Sequence, residues 1–215
     1  MREALLLRIA QVVLALPSRA VVAVDGVDGS GKTMLADELA TALQLAGRET
    51  VRASVDGFHN PRAVRYARGK SDPLGFFLDS YNYESLRRHL IDPFRRGAPS
   101  VDIARFDHRT DSAEPVTVSD IGANAVLILD GIFLHRDELA QLWDYSLFLA
   151  VPFEISYQRM AARDGSDPDP EAADNRRYLE GQKLYLATCE PRERASLVVD
   201  NSDLAAPFII GSSAL

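Results

Sequence analysis

The stretch VVAVDGVDGSGKTMLADEL, Val21 to Leu39, constrains this 215-residue chain more than any other part of it. A mostly apolar run meets a turn of the form G-x-x-x-x-G-K-[ST], Gly26-Val27-Asp28-Gly29-Ser30-Gly31-Lys32-Thr33, and a helix-like pattern follows. A strand, a glycine-rich turn and a helix in immediate succession make a phosphate cradle. The glycines let the backbone curl so that successive N–H groups face inward, and the helix start adds the positive end of its dipole. Lys32 then reaches the β- and γ-phosphates of a nucleotide, and the Thr33 hydroxyl ligates Mg2+. Three fates stay open for those phosphates: hydrolysis, a conformational switch, or transfer to a second molecule.

The rest of the chain repeats the strand–helix alternation. Residues 21–25, 50–55, 125–130, 145–151 and 196–199 read as buried strands, rich in Val, Ile and Leu. Helical patterns cover 33–46, 83–96, 136–143, 153–163 and 175–188. This predicts an α/β fold in one domain over 1–215, with a mostly parallel five-stranded sheet wrapped by helices. Leu5, Ile9, Val12, Val13 and Leu16 share one face of an amphipathic helix over 1–16, ended by Pro17. Arg8 and Gln11 interrupt the apolar run there, so it does not read as a secretory signal. Residues 101–106 and 115–118 flank a polar stretch and predict a projecting hairpin. Residues 165–177 carry no apolar pattern and read as a mobile segment between two helices.

Composition excludes several classes of partner. The net charge of −7 argues against nucleic acid and against an acidic membrane surface. A small anion still suits a locally positive pocket. No run approaches a membrane span. Cys189 is the single cysteine, which rules out an intrachain disulfide and a cysteine-based metal site and fits a cytoplasmic location. A homo-oligomer is left open.

In a parallel α/β sheet, ligands bind beyond the carboxyl ends of the strands. VLILD closes there with Asp130, the candidate to hold Mg2+ directly or through water. ASVD closes with Asp56. An ATPase or a switch has no use for a second acid at this edge. A kinase does, because the acceptor hydroxyl must lose a proton as it attacks; a place in the metal shell is the other use for Asp56. Asp25 enters the phosphate loop at once and reads as structural.

The set GVDGSGKT, SVDGFH, LILDGIF and RMAARD resembles the uridine kinase, phosphoribulokinase and pantothenate kinase branch of P-loop kinases over roughly residues 21–201. The resemblance implies a three-layer kinase fold, ATP with Mg2+, Asp56 as catalytic base, and a lid over about 159–178 that brings Arg163 and Arg159 onto the phosphates. Asp130 stands where the family usually has glutamate. The aromatic-Asp-His-Pro run of uridine kinases is matched only by Ser80-Tyr81-Asn82-Tyr83, the hairpin is compressed to Phe106-Asp107-His108-Arg109, and the lid arginines fall at Arg176 and Arg177 after a longer acidic stretch.

These residues and His59 and Arg62, just after the base candidate, make the expected acceptor set: Asp56, His59, Arg62, Tyr81, Asn82, Phe106, His108, Arg109 and Arg176. Asn201, after the last strand, is the candidate adenine contact. Tyr178, Tyr185 and Trp143 read as packing residues. The chain lacks the Asn-Lys-x-Asp of a guanine site. The expected activity is ATP-dependent transfer to a hydroxyl of a small molecule, a uridine- or cytidine-like nucleoside first. A sugar or pantothenate-type alcohol, and a nucleotide-binding regulatory module with little turnover, remain as alternatives.

Overall fold

The computed structural model describes residues 2–212 of the chain. Its strands are β1 (Val21–Gly26), β2 (Thr50–Ser54), β3 (Val101–Asp107), β4 (Ser112–Val118), β5 (Val126–Gly131), β6 (Tyr145–Ala150), β7 (Leu197–Asp200) and β8 (Phe208–Ser212). Six form one sheet in the order β2-β5-β1-β6-β7-β8. The first five of these run parallel and β8 joins the edge antiparallel. β3 and β4 pair antiparallel as a separate two-stranded sheet, which is the expected hairpin.

The central parallel strands β1, β5 and β6 are buried on both faces, and their alternation of side chains feeds two cores. On one side Val22, Val24, Ile128, Leu147 and Leu149 pack against Leu35, Leu39 and Leu43 of α2 (Lys32–Leu45 by its hydrogen bonding), with Ile9 and Val13 of α1 (Arg2–Leu14) beside them. On the other, Val21, Ala23, Leu127, Leu129 and Phe148 meet Phe76, Leu86, Leu90, Phe94, Phe133 and Tyr185. Burying each such side chain contributes about 1.5–3 kcal/mol, so the register of the central strands is fixed from both sides. Short helices α3 (Arg62–Arg65), α4 (Pro73–Asp79), α5 (Tyr83–Leu86) and α6 (Asp92–Arg95) cover the second face, followed later by α7 (Phe153–Asp164), α8 (Arg176–Cys189) and α9 (Pro191–Arg194). Among the described residues no helix is long and apolar enough to cross a membrane.

The short helices α3, α4 and α9 are not among those expected from the sequence, and the structure differs from the expectation in three further places. The helix expected over 136–143 is only a 3-10 turn at Ala140–Leu142. The i, i+4 pair Leu139 and Trp143 does face inward, but Trp143 Nε1 donates to Leu134 O and Arg136 reaches away to Phe77 O, which holds the segment as a turn. The single helix expected over 83–96 is broken by a π turn at Arg87–Ile91. Pro93 has no N–H to give and its ring crowds the carbonyl four residues back, which the wider turn relieves. The expected five-stranded sheet has a sixth strand, β8, whose Phe208 and Ile210 stay largely exposed at the sheet edge.

Candidate active site

The sheet brings three acids toward one edge. Asp130, near the end of β5, lies beside Val24 of β1 and Ser54 of β2 in register. The chain after β2 folds into a 3-10 turn, Val55–Gly57, with Ser54 Oγ accepting the Asp56 N–H at 3.3 Å. Asp56 therefore sits just past the strand rather than in it, open to solvent. Gly131 lets this turn approach, since a Cβ there would collide with the Val55 side chain. Asp28 stands in the loop after β1.

The phosphate loop is braced from behind. Gly31 has φ 90°, and a Cβ on it would lie 2.8 Å from Asn201 Nδ2. That amide donates to Ser30 O at 2.7 Å, and Asn201 is buried. Arg159 donates to the carbonyls of Asn201 and Ser202 at 2.9 and 2.8 Å. Asn201 and Arg159 thus hold the shape of the loop and its neighbour, and neither lines the cavity in front. Arg163, one turn on, does line it, with its guanidinium largely exposed and 2.8 Å from Asp164.

That cavity, about 320 Å3, is walled by Asp28, Gly29, Gly31, Lys32, Thr33, Asp56, Asp130 and Arg163 among others. Lys32 is buried, and its Nζ binds only the neutral carbonyl of Val27, at 2.8 Å. The Ser30 hydroxyl is buried with no partner among the described residues. A buried ammonium facing only a carbonyl, under curled backbone amides, fits a phosphate chain. Thr33 Oγ1 donates to Asp130 Oδ2 at 2.8 Å, while Arg52 holds Asp130 Oδ1 at 2.9 Å. Hydroxyl and carboxylate oxygens side by side are the donor set that Mg2+ takes, one or two from protein and the rest from water and phosphate.

A second cavity, about 210 Å3, opens on the other side of Asp28 and Asp56. Its wall includes His59, Tyr81, His108, Tyr66, Tyr178 and Arg177. Tyr81 donates its phenol O–H to Asp56 Oδ1 at 2.9 Å. The His59 ring lies 4.5 Å from both the Tyr81 and the His108 rings, tilted at 49° and 31° to them, and its Nδ1 donates to Asp56 O at 2.8 Å. Burial lowers the His59 pKa, against the raising effect of the Asp56 carbonyl and charge, so its ring is neutral near pH 7. Burial, then the charge of Asp56, pushes the Tyr81 phenol well up, which keeps its proton in place.

A model of the phosphoribulokinase / uridine kinase family matches residues 21–168, which include the loop, the three acids Asp28, Asp56 and Asp130, and the hairpin. This chain belongs to that family. A uridine kinase of Leuconostoc citreum (strain KM20) is 28% identical over 179 residues, 80% of this chain and 78% of that one. A solved structure described as a possible uridine kinase from Bacillus stearothermophilus aligns with a TM-score of 0.71 and 26% identity, covering 90% and 96% of the two chains. A candidate fructose transport system kinase from Silicibacter sp. TM1040 aligns at 0.65, also with 26% identity, covering 85% and 94%. The chain is an ATP-dependent small-molecule kinase of the P-loop fold.

Within that family site, several expected acceptor residues fall elsewhere. Asn82 caps α5 by accepting the Ser85 N–H at 2.8 Å. Arg62 meets the hairpin through its backbone, whose N–H donates to Asp111 Oδ1, and its side chain is exposed. Phe106 is bridged to Phe58 in the hairpin and does not line the cavity. Arg109 is exposed at the hairpin tip, where its N–H closes a turn on Asp107. Arg176 points outward while its neighbour Arg177 is buried against the acceptor cavity, donating to the carbonyls of Arg65, Gly69 and Lys70. Tyr178, read from the sequence as packing, lines that cavity, edge-on to Phe76. Gln182, whose Oε1 accepts the Asp28 N–H at 2.7 Å, carries no local sequence signal at all.

Asp25 is fully buried under the loop. Its carboxylate accepts from His135 Nδ1 at 2.6 Å, from the Tyr185 hydroxyl, and from the Gly26 N–H at 2.7 Å. The other His135 nitrogen lies 3.0 Å from Ser146 Oγ. The network ties β1, β6, α8 and the turn after β5 to the first residue of the loop.

Proposed function

We propose that this kinase moves the γ-phosphoryl group of Mg-ATP onto a hydroxyl of a small acceptor, with a uridine- or cytidine-like nucleoside as the first candidate. The observation that carries this reading is the position of Asp56 on the wall common to both cavities. A carboxylate there can accept the proton of an acceptor hydroxyl as its oxygen attacks phosphorus, an effect worth about 10²–10⁴-fold in rate. Tyr81 holds one Asp56 oxygen and leaves the other free. Lys32 and the loop amides bind the phosphates, and the exposed Arg163 is free to swing onto the migrating charge. Thr33 and Asp130 would hold Mg2+, which when bound neutralises phosphate charge.

The nucleoside reading rests on the His59, His108 and Tyr81 rings, which offer flat faces to a base, and on the uridine kinase relatives. A sugar-type alcohol is the second reading, favoured by the equal identity to the candidate fructose transport system kinase. Coupled ADP release with a panel of nucleosides, sugars and pantothenate tests both. The rate should jump with one acceptor class and fall by about 10²-fold or more in Asp56→Asn. A rate indifferent to every alcohol supports a regulatory nucleotide-binding module instead.

A further inference from the structure

Three residues line both cavities: Asp28, Asp56 and Ile132. Two are carboxylates, yet accepting one proton requires one. Asp56 is the one anchored by Tyr81. Asp28 is fixed differently. Gln182 holds its backbone N–H, while no donor among the described residues binds its carboxylate.

A carboxylate at this point is unfavourable to a triphosphate, because like charges repel most strongly where water is excluded. The motif tolerates any residue at this position, and a neutral one would suit the nucleotide better. Burial raises the Asp28 pKa; the charge of Lys32 works against this, that of Asp56 adds to it, and that of Arg163 opposes it again. Its oxygens accept hydrogen bonds and lack a protein donor. With the cavities filled and water displaced, a hydroxyl of the bound acceptor can supply the donor that no described protein group gives the Asp28 carboxylate. The side chain faces the acceptor cavity beside Asp56, where a group next to the reacting hydroxyl must lie.

We infer that Asp28 is a specificity residue: it accepts a hydrogen bond from a second, non-reacting hydroxyl of the acceptor while Asp56 engages the reacting one. The kinase therefore selects acceptors carrying two hydroxyls close together, diols and polyols, over single alcohols. This inference rests on the phosphotransfer reading above. Removing the second hydroxyl leaves the Asp28 carboxylate desolvated and unmatched, which is how a polar site rejects an analogue that lacks one group.

The test uses full-length enzyme and acceptors matched in pairs: uridine against 2′-deoxyuridine and 3′-deoxyuridine, and 1,2-propanediol against 1-propanol. In the wild type, kcat/KM should favour the hydroxylated member of the active pair by about 10²-fold or more. In Asp28→Asn and Asp28→Ser that preference should shrink to within about tenfold, and the KM for ATP should not rise, since a like charge has been removed. A preference that survives both substitutions overturns the inference, as does a uniform loss across both members of a pair. A wild type that releases no acceptor-dependent ADP with any compound overturns the phosphotransfer reading itself, and the inference falls with it. Tyr81→Phe separates the two acids: it should lower kcat on both members of a pair alike and leave their ratio intact.

Discussion

The Asp56 carboxylate and the Tyr81 phenol meet at 2.9 Å across 25 residues of sequence, and the contact leaves the other carboxylate oxygen without a protein donor among the described residues, on a residue that lines both cavities. The phenol keeps its proton because burial and the adjacent charge raise its pKa far above neutrality. It therefore orients the acid without competing for the acceptor proton. Tyr81→Phe should lower kcat by roughly tenfold, the scale of one lost hydrogen bond of about 1.5 kcal/mol, with little change in the KM for ATP. Steady-state kinetics against Asp56→Asn, whose loss should be at least ten times larger, measures the difference.

Lys32 is a buried cation without a carboxylate within ion-pair range among the described residues, and its Nζ rests on Val27 O. Lys32→Met should weaken ATP binding by more than tenfold while leaving the fold intact or slightly more stable, because an unpaired buried charge is removed. Calorimetric titration with an ATP analogue and Mg2+ reads the first effect, and thermal unfolding reads the second.

Arg159 and Arg163 are one helical turn apart and do different work. Arg163→Ala should cut kcat by about 10–100-fold with an unchanged melting temperature, because its side chain is exposed. Arg159→Ala should lower the melting temperature and raise the KM for ATP, because it removes the guanidinium that holds the Asn201 and Ser202 carbonyls. The opposite pattern would exchange their roles.

His59 is held neutral by burial, below its ordinary pKa of 6.5. The unfolded chain takes up its proton near that value and the folded one resists until lower pH. Stability should therefore be flat above about pH 6.5 and fall as pH drops from there toward the lowered folded value. His59→Gln should flatten that part of the profile, which urea unfolding at pH 7.5, 6.5 and 5.5 can follow.

The buried bond of His135 to Asp25 carries stability rather than chemistry. His135→Ala should destabilise the fold by about 1–3 kcal/mol, since it strips a buried carboxylate of one of its donors. Denaturant unfolding gives the value, and any residual enzyme should retain its acceptor preference.

The elements legible in the sequence were those whose signal is local. The loop is written in consecutive residues, and Asp130 follows an apolar run that can only be a central strand, so its meeting with Thr33 was within reach. The hairpin announced itself by two short β-rich runs around a polar tip. What stayed hidden depends on contacts between distant segments. Gln182 reaches Asp28 across 154 residues, and which of Arg176 and Arg177 turns inward depends on the phase of a helix whose N-cap residue, Asn175, gives its side chain to the Asp167 and Asp169 carbonyls instead of capping. Asn82 and Arg62 have suitable chemistry for a ligand, but local backbone geometry uses the first as a cap and leaves the second on the surface.

Gln182 and Tyr185 stand one turn apart on α8, the one gripping the Asp28 amide and the other the Asp25 carboxylate. The helix that receives the chain after the acidic 165–175 stretch is thereby bolted to the floor of the nucleotide cradle. On the other side of that stretch, α7 closes at Gly165, whose left-handed φ of 77° is the cap geometry that glycine takes without strain.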